Sequence, residues 1–185
     1  MTIRVVFTPA GLGKEEVAGS AVFVIDVLRA TTTICAALHH GAKSLIPAAS
    51  IEDAIKLSQT LGPADVVLAG ERHGKKISGF AVGNSPREMI GPLVQGKTIV
   101  MTTTNGTEAF LASAGAPLVF AAAAANLTVA AARARQVLAD GLNLVIVCAG
   151  REGAFALDDG YAAGRLIVET IGDRRRLDGL DDAAV

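Results

Sequence analysis

Asp26 closes the apolar run Ala21–Ile25. A carboxylate placed there needs a metal, a cation or strong hydrogen bonds to offset its lost hydration. Four more apolar runs end in reactive residue types. Glu71-Arg72 comes shortly after Asp65–Leu68, and Thr102 through Thr107 comes after Thr98–Met101. Asn126 comes after Leu118–Ala121, and Gly150-Arg151-Glu152-Gly153 after Asn143–Cys148, with Asp158-Asp159 beyond. Carboxylates suit a hard cation such as Mg²⁺, which takes oxygen ligands and retains water. Arginine offers a planar fork to oxyanions, and Arg29, Arg72 and Lys75 or Lys76 can supply positive charge near these ends. The chemistry suggested is electrostatic handling of a small, highly charged anion beside a divalent ion.

That chemistry requires the five ends to meet. Strands are expected at 3–7, 21–25, 43–46, 65–68, 98–101, 118–121 and 143–148, and helices at 29–40, 51–61, 86–90, 107–114, 128–140 and 159–171. Near-continuous apolarity in the strand runs implies that both sheet faces are covered. Strand–helix alternation implies mostly parallel pairing through right-handed crossovers. The expected fold is a single α/β domain over 1–185, a three-layer α/β/α sandwich with a mostly parallel or mixed sheet. In such sheets ligands sit beyond the carboxyl ends of the strands, where all five reactive clusters would lie.

Several functions are excluded or disfavoured. Lys and Arg total 17 against 18 for Asp and Glu, and there is no Trp and one Tyr, so neither a basic face nor base-stacking aromatics mark a nucleic-acid partner. No apolar segment approaches the ~20 residues of a membrane span, no signal-peptide pattern opens the chain, and a cytoplasmic protein is expected. Cys35 and Cys148 lack a CxxC partner and read as reduced thiols. Residues 91–98, GPLVQGKT, fit the P-loop pattern letter for letter. A P-loop needs a strand before and a helix after, and here the order is reversed. Asp26 has Leu28 two positions on, not the second Asp of a phospho-aspartate dyad. Other residues have structural readings: Asn105 with Glu108 forms a capping-box pattern, while His39-His40, Lys14-Glu15-Glu16 and Arg174-Arg175-Arg176 read as solvated. His73, in the long glycine-rich loop 70–85, is a weak acid/base candidate.

Read in order, these motifs resemble those of 2-phosphosulfolactate phosphatases. The matching stretches are 24–31 (VIDVLRAT), Gly70-Glu71-Arg72 with Gly74, Gly79-Phe80, Gly83 through Pro86 (GNSP), Thr102 through Thr107 (TTTNGT), Ala149-Gly150 with Phe155, Asp158-Asp159 and Leu180 through Ala184. The resemblance runs end to end, except that family members generally continue for several dozen residues further. It implies Mg²⁺-dependent hydrolysis of 2-phosphosulfolactate to sulfolactate and phosphate in coenzyme M biosynthesis. The expected catalytic residues are Asp26, Arg29 and Asp159, with Asp26, Glu71 and Asp159 as metal ligands. Thr31, Arg72, Asn84, Ser85, Thr103, Thr104, Asn105, Gly106 and Gly150 are expected to bind substrate, with amides near Thr31 and Asn105-Gly106 capping the phosphate. The proton carrier stays open between Asp26 and Asp159. Expected partners are a small anionic phosphorylated substrate and further copies of the chain, with no nucleic acid and no membrane. Alternatives are a phosphatase of another phosphorylated hydroxy acid, a non-catalytic protein that binds or senses an anionic metabolite, and a degenerate homologue kept for subunit contacts.

Overall fold

The computed structural model describes residues 1–172 and 179–185; the Arg174–Arg176 run lies outside them. The elements, in order, are β1 (Ile3–Val6), α1 (Lys14–Ala18), β2 (Ser20–Ile25), α2 (Ala30–His39), β3 (Ser44–Pro47), α3 (Ile51–Leu61), β4 (Val66–Arg72), β5 (Lys75–Lys76), α4 (Gly91–Val94), β6 (Thr98–Thr102), α5 (Gly106–Ala112), β7 (Leu118–Ala122), α6 (Leu127–Ala139), β8 (Asn143–Cys148) and α7 (Leu157–Ile171). The α/β class and the dominant parallel pairing match the sequence expectation. The strands divide into two four-stranded sheets, ordered β1-β8-β2-β7 and β3-β6-β4-β5. Among the described residues only the β4–β5 ladder is antiparallel.

Each sheet is a middle layer. In the first, Phe23, Ile25, Leu144 and Ile146 face a core shared with α6 and α7, including Ala134, Val137, Ala163 and Leu166. The alternate residues Val22, Val24, Val145 and Val147 face the opposite way, onto Ala109 of α5. In the second sheet Val67, Ala69, Ile99 and Met101 pack against Ala30, Ile34 and Ala37 of α2, and Val100 packs with Ala54 of α3. Phe110 of α5 packs against the clusters of both sheets. The period-two alternation of side chains is therefore fully used: every residue of β2 is buried, one set on each face. Burying a Val, Ile or Phe side chain contributes about 1.5–3 kcal/mol, so β2 holds its carboxyl end, and Asp26 beyond it, firmly in place.

Local signals set the helix ends. Ser50 caps α3, its hydroxyl accepting from the Asp53 N–H at 3.0 Å. The four-residue α4 precedes β6 across residues 91–98, so that segment lacks the strand-then-helix order of a P-loop. The last residues return to β1: the Ile3 N–H donates to Gly179 O at 2.7 Å, and the Asp181 carboxylate accepts from the Val5 N–H. No helix among the described residues is long and apolar enough to cross a membrane.

Candidate active site

Asp26 follows the last residue of β2 and is 7% exposed. Its backbone is fixed by Thr31, whose hydroxyl accepts from the Asp26 N–H at 3.0 Å and donates to Asp26 O at 2.8 Å. The backbone amides of Ala30 and Arg29 at the start of α2 lie on the carboxylate's side and favour its charged form. Asp159, in the first turn of α7, is 2% exposed. Its Oδ1 accepts from the Val27 N–H at 2.9 Å and its Oδ2 from the Gly150 N–H at 3.0 Å. One carboxylate thereby ties together the segments that leave β2 and β8. Glu71, near the end of β4, does the same for the second sheet. Its Oε1 accepts from the Thr104 N–H at 2.8 Å, and its Oε2 from the Gly74 N–H at 2.6 Å and the Thr104 hydroxyl at 3.1 Å.

These groups line one cavity of about 340 Å³, within the size range of small-molecule sites. From the first sheet come Asp26, Arg29, Gly150, Arg151, Glu152, Asp158 and Asp159; from the second come Glu71, His73, Asn84, Thr104 and Asn105. The cavity is acidic, with five carboxylates against two guanidinium groups. Burial, with the charges of Asp158 and Glu71, pushes the Asp26 carboxyl up to about 6, although the Ala30 and Arg29 amides pull it down. Burial, with Asp26 and Asp158, likewise pushes Asp159 up to about 6 against the amides of Val27 and Gly150. For Glu71 burial acts upward, but the Thr104 and Gly74 hydrogen bonds and the charge of Arg29 outweigh it, and the pKa is lowered.

Of the residues expected in a site, Asp26, Arg29, Glu71, Asn84, Thr104, Asn105, Gly150 and Asp159 meet at this cavity. Others lie behind it. Thr31 is fully buried and braces Asp26; its N–H donates to Asp26 O at 2.9 Å, so it does not cap a phosphate. Thr103 and Thr107 exchange backbone and side-chain hydrogen bonds at 2.8 and 3.1 Å and brace the start of α5. Arg72 donates to Glu71 O and to the Thr102 hydroxyl, each at 2.8 Å. Ser85 leads into the turn at Pro86, and Lys75 and Lys76 are exposed on β5. Asn126 braces its own loop, accepting from the Ala123 N–H.

Asn105 does not make the capping box expected of it. Its Oδ1 accepts from the Glu152 N–H at 3.0 Å and joins the loops of the two sheets. Asp26 does not pair with Arg29 within the described residues. Asp158, Arg151, Glu152 and His73 line the cavity too, although no site role was assigned to the first three from sequence. Asp158 sits beside Asp159, and the paired acids were the signal available. His73 and Glu152 share a second mark: with φ of 49° and 51°, they are the non-glycine residues of positive φ among those described. Backbone held in that region clusters at functional sites.

A family profile described as 2-phosphosulpholactate phosphatase matches residues 6–185. The chain belongs to the 2-phosphosulfolactate phosphatase family. It is 41% identical over 166 residues to the probable 2-phosphosulfolactate phosphatase of Caldanaerobacter subterraneus subsp. tengcongensis, covering 90% of this chain and 68% of that protein. The Clostridium acetobutylicum protein of the same name is 38% identical over 184 residues, covering 100% of this chain and 76% of the relative. A third, from Symbiobacterium thermophilum, is 40% identical over 167 residues, 90% and 70% of the two chains.

The glycines of this family member keep the site open. A Cβ on Gly106 would lie 2.6 Å from Asp26 Oδ2 and 2.4 Å from the Ala30 Cβ. Gly150 has φ +67°, and a Cβ there would lie 2.4 Å from Ala154 O. Both are positions of close approach, which only glycine allows.

Among the described residues no three His, Cys, Asp or Glu side chains form a group able to hold a metal ion, so Asp26, Glu71 and Asp159 do not make a closed three-ligand cage. Mg²⁺, however, is commonly held by one or two carboxylates completed by substrate phosphate and water. Asp26 and Asp159, buried and close enough for the Asp26 charge to raise the Asp159 pKa, suit that arrangement, whereas Glu71 sits on the other wall of the cavity and accepts three hydrogen bonds from Gly74 and Thr104.

The raised carboxyls have a measurable consequence. Both have an ordinary value of 3.8 and a folded value of about 6. The folded state thus holds more protons in that interval, and stability falls as pH rises through it. Each group costs on the order of 3 kcal/mol once ionised, and because the pair shares one repulsion, the joint loss is less than twice that. Melting temperature in chelator is expected to fall between pH 4.5 and pH 7, and calorimetry at those pH values checks it. A flat or rising profile would show that the two carboxyls are not raised.

Proposed function

We propose that this protein hydrolyses a small acidic phosphomonoester with the help of Mg²⁺, and that the substrate is 2-phosphosulfolactate, giving sulfolactate and phosphate. The proposal extends to a cytoplasmic step of coenzyme M biosynthesis. The observation that carries it is the pair of buried carboxylates, Asp26 and Asp159, raised by burial and by neighbouring carboxylates beside Arg29 in one cavity. A buried pair of carboxylates favours a cation, and the family's activity supplies a substrate that would bring phosphate to it.

Arg29 and Arg151 neutralise the substrate's oxyanions, Arg29 lying next in chain to the Asp26 loop. Asp26 and Asp159 are the residues that would hold Mg²⁺, and the ion would supply charge neutralisation at the phosphate and a more acidic water. Water oxygen adds to phosphorus, the phosphorus–ester-oxygen bond breaks, and the leaving oxygen takes a proton. Either Asp26 or Asp159 can accept the water's proton and pass it to the leaving oxygen while the other stays ionised. The Val27 and Gly150 amides hold Asp159 in one orientation throughout. Thr104 and Gly74 hold the opposite wall through Glu71.

Phosphate release from 2-phosphosulfolactate by the purified protein tests the proposal. Activity is expected to disappear in EDTA and return with Mg²⁺. Undiminished turnover in chelator would remove the metal, and saturable binding without release would replace the enzyme with a sensing protein.

A further inference from the structure

The cavity holds one buried polar side chain that none of the interactions above uses. Asn84 is 6% exposed and lines the cavity from the segment after β5. Its Oδ1 is buried with no hydrogen-bond partner among the described residues. Thr33 Oγ1 shares that condition but does not line the cavity. Buried amides in folded proteins are nearly always paired, so an unpaired one at a cavity wall points to a ligand that completes it.

The surroundings narrow the ligand. Asp26, Arg29, Asp158 and Asp159 come from the first sheet, whereas Asn84 belongs to the second-sheet wall with Glu71, His73 and Thr104. The proposed substrate also has two ends, the phosphoester and an acid group that does not react. Arg29 and the carboxylate pair serve the first. A neutral amide can donate to an oxyanion through its NH₂ without adding another negative charge to an acidic wall. We infer that the Asn84 amide binds the unreacting acidic group of the substrate and selects phosphomonoesters that carry one. The inference rests on the phosphatase reading for the position of the phosphate, and it assigns Asn84 to specificity, not to chemistry.

The test uses the Asn84→Ala and Asn84→Asp variants with three probes: 2-phosphosulfolactate, 2-phospholactate, which keeps the carboxylate only, and glycerol 2-phosphate, which has no second acid. For Asn84→Ala the ratio of kcat/KM on 2-phosphosulfolactate to that on glycerol 2-phosphate is expected to fall at least tenfold, mainly through KM. Asn84→Asp adds a negative charge and is expected to lower the ratio further. An equal ratio for 2-phosphosulfolactate and 2-phospholactate assigns the contact to the carboxylate, and a larger fall for the former assigns it to the sulfonate. An unchanged ratio in both variants, or a loss confined to kcat on every probe, overturns the inference. Sulfolactate, which has no phosphate to lose, separates this inference from the phosphatase reading. Its stabilisation of the wild-type protein in thermal melting is expected to shrink in both variants. If wild type binds sulfolactate through Asn84 yet releases no phosphate, the phosphatase reading fails and the Asn84 assignment stands. If phosphate is released while sulfolactate shifts wild type and variants equally, the reverse holds.

Discussion

Asp26→Asn is expected to lower phosphate release by at least about 100-fold, the scale at which a positioned acid–base or metal-holding group contributes. It is also expected to raise the melting temperature at pH 7. The two effects have one cause. At pH 7 Asp26 is ionised in a site where burial and the charges of Asp158 and Glu71 oppose ionisation, and its own charge opposes that of Asp159. An amide keeps the shape but removes the charge. Each kcal/mol recovered corresponds to roughly 2–4 °C in a domain of this size. At pH 4.5, where the native carboxyl is already protonated, the gain should vanish. Calorimetry at both pH values, in chelator, alongside a phosphate-release assay checks the pair. Wild-type turnover would remove Asp26 from the chemistry, and an equal loss of stability at both pH values would make it a structural hydrogen-bonding group. A gain in stability with a loss of activity is what a strained site predicts.

The elements that position this site were readable because β2, β6 and β8 announce themselves as apolar runs, and parallel pairing then fixes where their polar ends go. That is how Asp26, Asp159, Glu71 and Thr104 could be placed on one rim without coordinates. The partition into two sheets was not readable. The signals that separate the β3-β6-β4-β5 group from the other are long-range pairings, and a buried central strand looks the same in either sheet. Side-chain partners were also beyond local reasoning. Asn105 with Glu108 three residues on is a sound helix-start pattern, but the Glu152 N–H competes for the Asn105 amide from 47 residues away and wins it. Thr103 and Arg72 have the right chemistry for an oxyanion, yet Thr107 and Thr102 engage them inside the fold. Sequence gave the functional groups at the rim, and tertiary contacts sorted those facing the cavity from those supporting it.

Gly106→Ala should show how much of the site depends on packing behind it. The new methyl group would sit 2.4 Å from the Ala30 Cβ and 2.6 Å from Asp26 Oδ2, both well inside van der Waals contact. Ala30 is 1% exposed and packs in the core shared with β4 and β6, so it has little room to yield, and the carboxylate is the softer neighbour. Overpacking of this kind costs about 1–3 kcal/mol, and turnover should fall by at least about tenfold because the displaced group is Asp26. The double variant with Ala30→Gly separates the two contacts. Removing the Ala30 methyl relieves the 2.4 Å clash, although glycine in a helix itself costs about 1 kcal/mol, so stability should recover only in part. Activity should stay low, since the methyl at 106 still presses on the Asp26 oxygen. If activity returned together with stability, the loss in the single variant would be a folding defect. If Gly106→Ala alone left both unchanged, the close approach of α5 to Asp26 would not constrain the site.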